Sequence, residues 1–299
     1  MQLIKFVVSK TNLPEVSVKN TIELLNEECT IPFISRYRKE RTGNLDEVQI
    51  GEIVKFKEQF EVLEKRKKHI LKTLQDDEVL TPKLQQKIES SQDITTLEDL
   101  YLPYKKKRKT KAETARKNGL EPLAKIIMSQ NANAIESIAY KYVKGEISSV
   151  DEALEGARHI IAEWINERTD IRNNIRHQLE RFAIISTKAV KTKIEHEKAQ
   201  KFRDYFSWEE ALSRIPSHRL LAIFRAEKEG FIKLKIEIDD DKALTKIEDR
   251  IIRSQNSCAD QIELSIKDAY KRLLLPSLSN EALQNAKVKA DESAINVFV

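Results

Sequence analysis

The chain has 299 residues, of which 34% are charged, 40% hydrophobic and 6% aromatic, with only 6 Gly and 7 Pro. That apolar content excludes a disordered chain, and so few backbone breakers favour long helices rich in Lys, Glu, Leu and Ile. The formal charge of +5 is a small difference between 53 basic and 48 acidic side chains, so only local clustering can point to a polyanionic partner.

The first residues, Met1 to Lys5, lack the basic region, long apolar core and cleavage site of a secretory signal. No apolar stretch approaches the roughly 20 residues of a membrane span. A reduced, cytoplasmic protein without membrane partners is expected, its two cysteines, Cys29 and Cys258, packed as small hydrophobes. An apolar run around Val7 and Val8 begins almost at once, and the chain ends on Val297-Phe298-Val299 without a glycine stop or polar tail. Both ends therefore read as cut from something longer.

Val16 to Glu28 and Thr30 to Arg41 form a helix-turn-helix candidate with a basic second helix. Thr30 is placed to cap that helix, Pro32 is tolerated in its first turn, and Gly43 supplies a stop. Phe33, Ile34 and Tyr37 share one face, with Arg36, Arg38 and Lys39 spread over the rest. Leu45-Asp46-Glu47 opens a long helix to about Leu74, with Ile53, Phe56, Phe60, Leu63, Ile70 and Leu74 at heptad spacing and Lys67 as the polar seam position. An intramolecular stripe is expected there, although the pattern also suits a coiled coil.

Pro82 opens a short helix, and Asp93 to Leu102 another before Pro103. Thr110 to Glu113 and Ser149 to Glu152 have the capping-box pattern, in which hydroxyl and carboxylate satisfy backbone donors reciprocally. The helix after the first box stops at Asn118-Gly119, and Pro122 starts the next. The second box leads into Leu154, Ala157, Ile160, Ile161, Trp164 and Ile165, a core-facing stripe. Thr169 is read as the cap of a helix that turns Ile171, Ile175, Leu179 and Phe182 inward. The period then changes. Phe231 to Ile238 alternates as a strand, and Val190-Thr192-Ile194 is its expected partner. Asp239 to Asp241 suits a helix start, and Pro276 is expected to break the last two helices.

Chemistry is sparse. The five histidines show no two-ligand spacing on a helix face, and HExxH, CxxC, GxSxG and a glycine-rich phosphate loop are all absent from the sequence. Pro216-Ser217-His218-Arg219 is explained by a helix start, since no acid or nucleophile is visibly tied to His218. The expectation is a protein that is not an enzyme, with no cofactor and no metal site. Basic clustering is the better lead: Tyr101 to Gly119 contains eight Lys and Arg among 19 residues and a single acid, Glu113. Lys105, Lys106, Lys107, Arg108 and Lys109, followed by Lys111, form a loop suited to phosphates rather than to base edges.

Six blocks in order resemble the Tex family of bacterial transcription accessory proteins, which are related to a eukaryotic elongation factor. They are Thr30–Glu47, Asp99–Lys105, Gly119–Ala124, Lys201–Phe206, Pro216–Arg219 and Leu273–Leu278. Lys106, Asn44 and Ala226 depart from the residues common there. The resemblance implies an N-terminal helical region with a helix-turn-helix-like unit and a long central helix. In such proteins it precedes a resolvase-like domain, helix-hairpin-helix domains and an OB-fold RNA-binding domain.

The expected fold is thus all-α, an elongated multi-helix array with at most one small strand pair. It divides into residues 1–187 and a mostly helical region 188–299 leading toward a resolvase-like domain. The expected role is a scaffold and interaction region of a transcription-associated protein. Its partners are RNA or DNA, held weakly through Arg36, Arg38, Lys39 and Lys105 to Lys111, the remaining domains of the intact protein, and the transcription machinery. The alternative is a sequence-specific DNA-binding module using the helix at 30–41.

Overall fold

A computed structural model describes residues 2–105 and 110–296. The chain forms two compact units, Met1–Lys105 and Lys106–Val299, and the fold is helical apart from one small sheet.

In the first unit the helices are α1 (Gln2–Thr11), α2 (Glu15–Asn26), α3 (Ile31–Tyr37), α4 (Lys39–Thr42), α5 (Glu47–Asp76), α6 (Pro82–Ser90) and α7 (Ile94–Tyr101). The expected long helix is α5. Asp46 accepts from the Gln49 amide at 2.8 Å while Gln49 accepts from the Asp46 amide at 3.1 Å, a complete capping box. Its stripe faces inward, as the intramolecular reading expects. Ile50 and Ile53 join Val7, Val18, Ile22, Leu24, Ile34 and Leu45 in one core, and Leu63, Ile70 and Leu74 join Leu84, Ile88 and Leu97 in another. Phe56 and Phe60 are half-buried, and Phe60 meets Phe6 of α1 with ring centres 5.3 Å apart.

Lys67, the polar seam residue, is buried because its ammonium has partners. It donates to Glu64 and to the backbone carbonyl of Glu89, each at 2.9 Å. Glu89 lies in the last turn of α6, where carbonyls lack helical partners, so one lysine satisfies an orphan acceptor and its own charge together.

The expected basic helix over 30–41 is not continuous. Arg38 leaves helical geometry at φ −128°, ψ 23°, which separates α3 from α4. Thr30 occupies the capping position in extended conformation but makes no side-chain capping bond. Gly43 does terminate α4, in the left-handed region at φ 72°. A Cβ there would meet Ser17 Oγ at 2.7 Å, so glycine is required both by the turn and by the approach of α2.

The second unit contains α8 (Lys111–Lys117), α9 (Glu121–Ser129), α10 (Ile135–Ala139), α11 (Val150–Glu167), α12 (Thr169–Phe182), β1 (Ile184–Ala189), β2 (Ser207–Ala211), α13 (Ser217–Lys228), β3 (Ile232–Glu237), α14 (Asp240–Ile251), α15 (Ser257–Asp268) and α16 (Leu275–Asn296). α11 is its hub, packing against α8, α9 and α15. Ser149 caps α11 by accepting from Glu152 N, but the Glu152 carboxylate reaches back to Ser148, one residue before the expected donor. The cap of α12 is Arg168 rather than Thr169, with the guanidinium clasping Asp170 at 2.7 and 3.0 Å. Ile171, Ile175 and Leu179 are buried as expected, whereas Phe182, the last residue of the helix, is exposed.

One expectation about the sheet fails in place and another in number. Val190-Thr192-Ile194 is not a strand; a short 3-10 turn covers Lys191–Lys193. The partner of β3 is β1, just upstream, with Ile185 opposite Ile236 and Thr187 opposite Leu234. β2 adds a third strand, giving the antiparallel order β2-β1-β3 in place of a single pair. Buried Thr187 is accommodated because its hydroxyl donates to the Tyr205 carbonyl at 2.6 Å. Residues 187 and 188, where the change of period suggested a boundary, are neighbours within β1.

Two further features shape this unit. Pro276 does not break the last helices: a π-helical stretch, Ala269–Leu274, joins α15 to α16 immediately before it. The wider turn accommodates a residue that cannot donate to the α-helical ladder. Gln130, left-handed at φ 58°, ends α9 and holds the link between α14 and α15. Its amide donates to the Ile251 carbonyl at 2.8 Å and accepts from the Arg253 amide at 2.7 Å, while its own carbonyl accepts from Asn256 at 2.8 Å.

Candidate nucleic-acid interface

The cations singled out in the sequence fall into two groups. Arg36 lies in the last turn of α3, Arg38 forms the break, and Lys39 begins α4. The turn at Arg38 gathers Arg36, Tyr37, Arg38, Lys39, Glu40 and Arg41 around one surface recess of about 620 Å³. Among the described residues, four cations and one carboxylate line it. Arg41 belongs partly to the architecture, lying 3.5 Å from both Glu23 of α2 and Glu27 just after it, with its backbone carbonyl accepting from Asn20 at 2.7 Å. Arg36 pairs loosely with Glu47 at 3.6 Å. Arg38 and Lys39 have no carboxylate partner among the described residues, and both are exposed.

The aromatic face of α3 is arranged differently from its sequence reading. Of Phe33, Ile34 and Tyr37, Ile34 is the one buried in the core. Phe33 is 38% and Tyr37 69% exposed, their rings 5.4 Å apart, and the Arg38 guanidinium lies 5.3 Å from the Phe33 ring centre. Helical spacing placed these residues on one face correctly, but it could not tell that Phe33 stays partly and Tyr37 largely exposed among the described residues. Their closeness to Arg36, Arg38 and Lys39 was the available signal.

Of the second group, Lys106, Lys107, Arg108 and Lys109 lie outside the described residues. Lys105 closes the first unit and donates to Glu98 at 2.6 Å, while Arg66 donates to the other oxygen of the same carboxylate at 2.5 Å. Both cations also lie over the Tyr101 ring, at 5.5 and 5.6 Å. Burial pushes the Glu98 carboxyl up, but the bonds from Arg66 and Lys105 outweigh it and hold it below the usual range. The hydrogen bond to Glu98 correspondingly raises Arg66. Two cations share one carboxylate, so the cluster keeps a net positive charge. Lys111 is exposed in the first turn of α8, the electropositive end of a helix, where a cation does little for stability.

Sequence reasoning missed a third cationic surface, on the sheet. Lys188 of the central strand stands directly opposite Lys233 of β3, and both are exposed. Like charges opposed across strands cost stability, so this pair is not explained by folding alone. Where acid–base chemistry was sought, His218 is exposed in the first turn of α13, and no carboxylate is bonded to it among the described residues. Arg219 instead donates to Glu210 at 2.6 Å. Asp239 caps α14 by accepting from the Lys242 amide at 3.0 Å, the helix-start role expected of it. Among the described residues no three His, Cys, Asp or Glu are gathered as metal ligands, and no helix is long and apolar enough to cross a membrane.

The arrangement can therefore bind anions through clustered, exposed cations. Comparison with known proteins gives this surface its context. The Tex-like protein N-terminal domain matches residues 1–75, and the Tex central region-like family matches residues 130–298. The chain belongs to the Tex family. Tex relatives include the uncharacterized protein YdcI of Bacillus subtilis, 37% identical over 98% of this chain and 41% of that protein. The transcriptional accessory protein Tex of Neisseria gonorrhoeae is 35% identical over 100% of this chain and 40% of its own length. More distant is the human S1 RNA-binding domain-containing protein 1, 26% identical over 99% of this chain and 31% of that protein. The chain thus spans about 40% of the length of the bacterial Tex relatives.

Proposed function

We propose that this chain is the helical scaffold and interaction region of a cytoplasmic transcription accessory protein, contacting RNA or DNA weakly and without sequence preference. Arg36, Arg38 and Lys39 form one contact, and the Lys105–Lys111 segment another. The chain contributes no catalytic residue in this reading; its work is to carry and position, alongside the remaining domains of the intact protein and the transcription machinery. The observation that carries the reading is the recess at residues 36–41, where, among the described residues, four cations face one acid. Phosphates reward such clusters whatever the base sequence, whereas base reading needs planar hydrogen-bonding side chains held in a groove. The family relationship adds support, since one relative is named a transcriptional accessory protein and another carries RNA binding in its name.

The test is a salt series on several unrelated oligonucleotides. Replacing Arg36, Arg38 and Lys39 with alanine should weaken binding similarly on all of them and lower the slope of log affinity against log salt by up to about two to three units, roughly 0.7–0.9 per lost phosphate contact. Alanine at Lys105, Lys106, Lys107, Arg108, Lys109 and Lys111 should act in the same way. Unchanged slopes in both variants would remove the two clusters from the interface. A strong preference for one duplex sequence would favour the DNA-reading alternative through residues 30–41.

A further inference from the structure

The recess holds more than charge. Tyr37, the most exposed aromatic of its cluster at 69%, keeps most of its ring in water beside Phe33. Phe33 is in turn backed at 5.3 Å by the guanidinium of Arg38, one of the residues lining the recess. Other large apolar side chains are exposed too, Tyr140 and Val16 among them, but this ring pair sits among Arg36, Arg38 and Lys39. Flat π-faces bordered by cations match a ligand that alternates aromatic rings with anionic groups. The recess, of about 620 Å³, opens onto the surface, so a strand can run along it with one base against Tyr37. A duplex fits poorly, because its bases are already stacked on one another and α3 stops at the Arg38 break after seven residues.

We propose that Tyr37, supported by Phe33, is a stacking seat for an unpaired base of a single-stranded nucleic acid whose phosphates lie on Arg36, Arg38 and Lys39. The proposal rests on the phosphate-binding reading above and deepens it by naming the strand state of the ligand.

The experiment uses the whole 299-residue chain and three probes of equal length: a base-bearing single strand, the same strand made abasic, and the duplex. The abasic strand has the same phosphates and no rings, so the affinity ratio between the first two isolates stacking. Wild type should favour the base-bearing strand by about fivefold or more, the low end of what one stacked base contributes. Tyr37→Ala should bring that ratio close to one while leaving affinity for the abasic strand unchanged, and Tyr37→Trp should restore it. Because Tyr37 is exposed, both variants are expected to melt like the wild type. A ratio of one in the wild type, a ratio insensitive to Tyr37→Ala, or tighter binding to the duplex would overturn the stacking seat. In each of those cases salt-dependent binding to the abasic strand would still uphold the phosphate reading. Loss of binding to all three probes would overturn both.

Discussion

Gly43 shows how a single position can be fixed from two directions. Its φ of 72° strains any residue with a Cβ, and the added atom would lie 2.7 Å from Ser17 Oγ. Gly43→Ala should therefore cost about 1–3 kcal/mol in urea unfolding. Adding Ser17→Ala should recover the steric part but not the conformational part. Glu98 is a second residue whose surroundings set a measurable property. Its carboxyl is held below the usual 4.5 in the folded protein, so the Arg66–Glu98–Lys105 cluster contributes fully above that value. The contribution is lost as pH falls through the lowered folded value. Glu98→Gln should accordingly flatten the acid side of a stability–pH curve, measured by thermal melts between about pH 3 and 7. Both positions were poorly legible in the sequence. Gly43 read as a helix stop without its contact to Ser17, and Glu98 drew no notice because its partners lie 32 residues before and 7 after it.

Helices carry their own punctuation, which is why most of them could be read directly. Asp46, Thr81, Asp93, Thr110, Ser149 and Asp239 all cap helices through their side chains. The heptad face of α5 was equally readable, and its burial makes the cost of truncation predictable. Phe60 is only half-buried, so Phe60→Ala should destabilise the first unit by about 1.5–3 kcal/mol, less than a fully buried phenylalanine. A loss beyond that range in chemical denaturation would mean that its contact with Phe6 holds α1 in place. Where signals came from tertiary contacts, reading failed. Ser207–Ala211 is short and polar and becomes a strand only because β1 offers it an edge. Val190-Thr192-Ile194 mimics an alternating strand, but pairing stops at Val190, which donates to the Phe231 carbonyl at 2.9 Å, and the 3-10 turn at Lys191–Lys193 follows. The Arg38 break contains neither glycine nor proline, and the π-helical turn before Pro276 leaves no mark in composition. The exposed rings of α3 belong with these: spacing assigns a face, and only packing decides whether the face is covered.

At the scale of the whole molecule, the family assignment was legible because six ordered blocks survive in the sequence, while the placement of charge around the recess required coordinates. The Gln130 clamp has a consequence for how the second unit comes together in time. Its bonds join residues 121 to 126 positions apart, so making them closes a loop comprising much of that unit. The chain entropy of such a closure is too unfavourable for three hydrogen bonds to initiate. The clamp should snap shut after α11 has already gathered α9 and α15, late in folding and beyond the rate-limiting barrier. Gln130→Ala should then leave the refolding rate of stopped-flow experiments nearly unchanged and concentrate its effect in faster unfolding. A residue that looks like a fastening in the finished structure would in that sense act as a latch, governing how long the unit stays folded rather than how quickly it arrives.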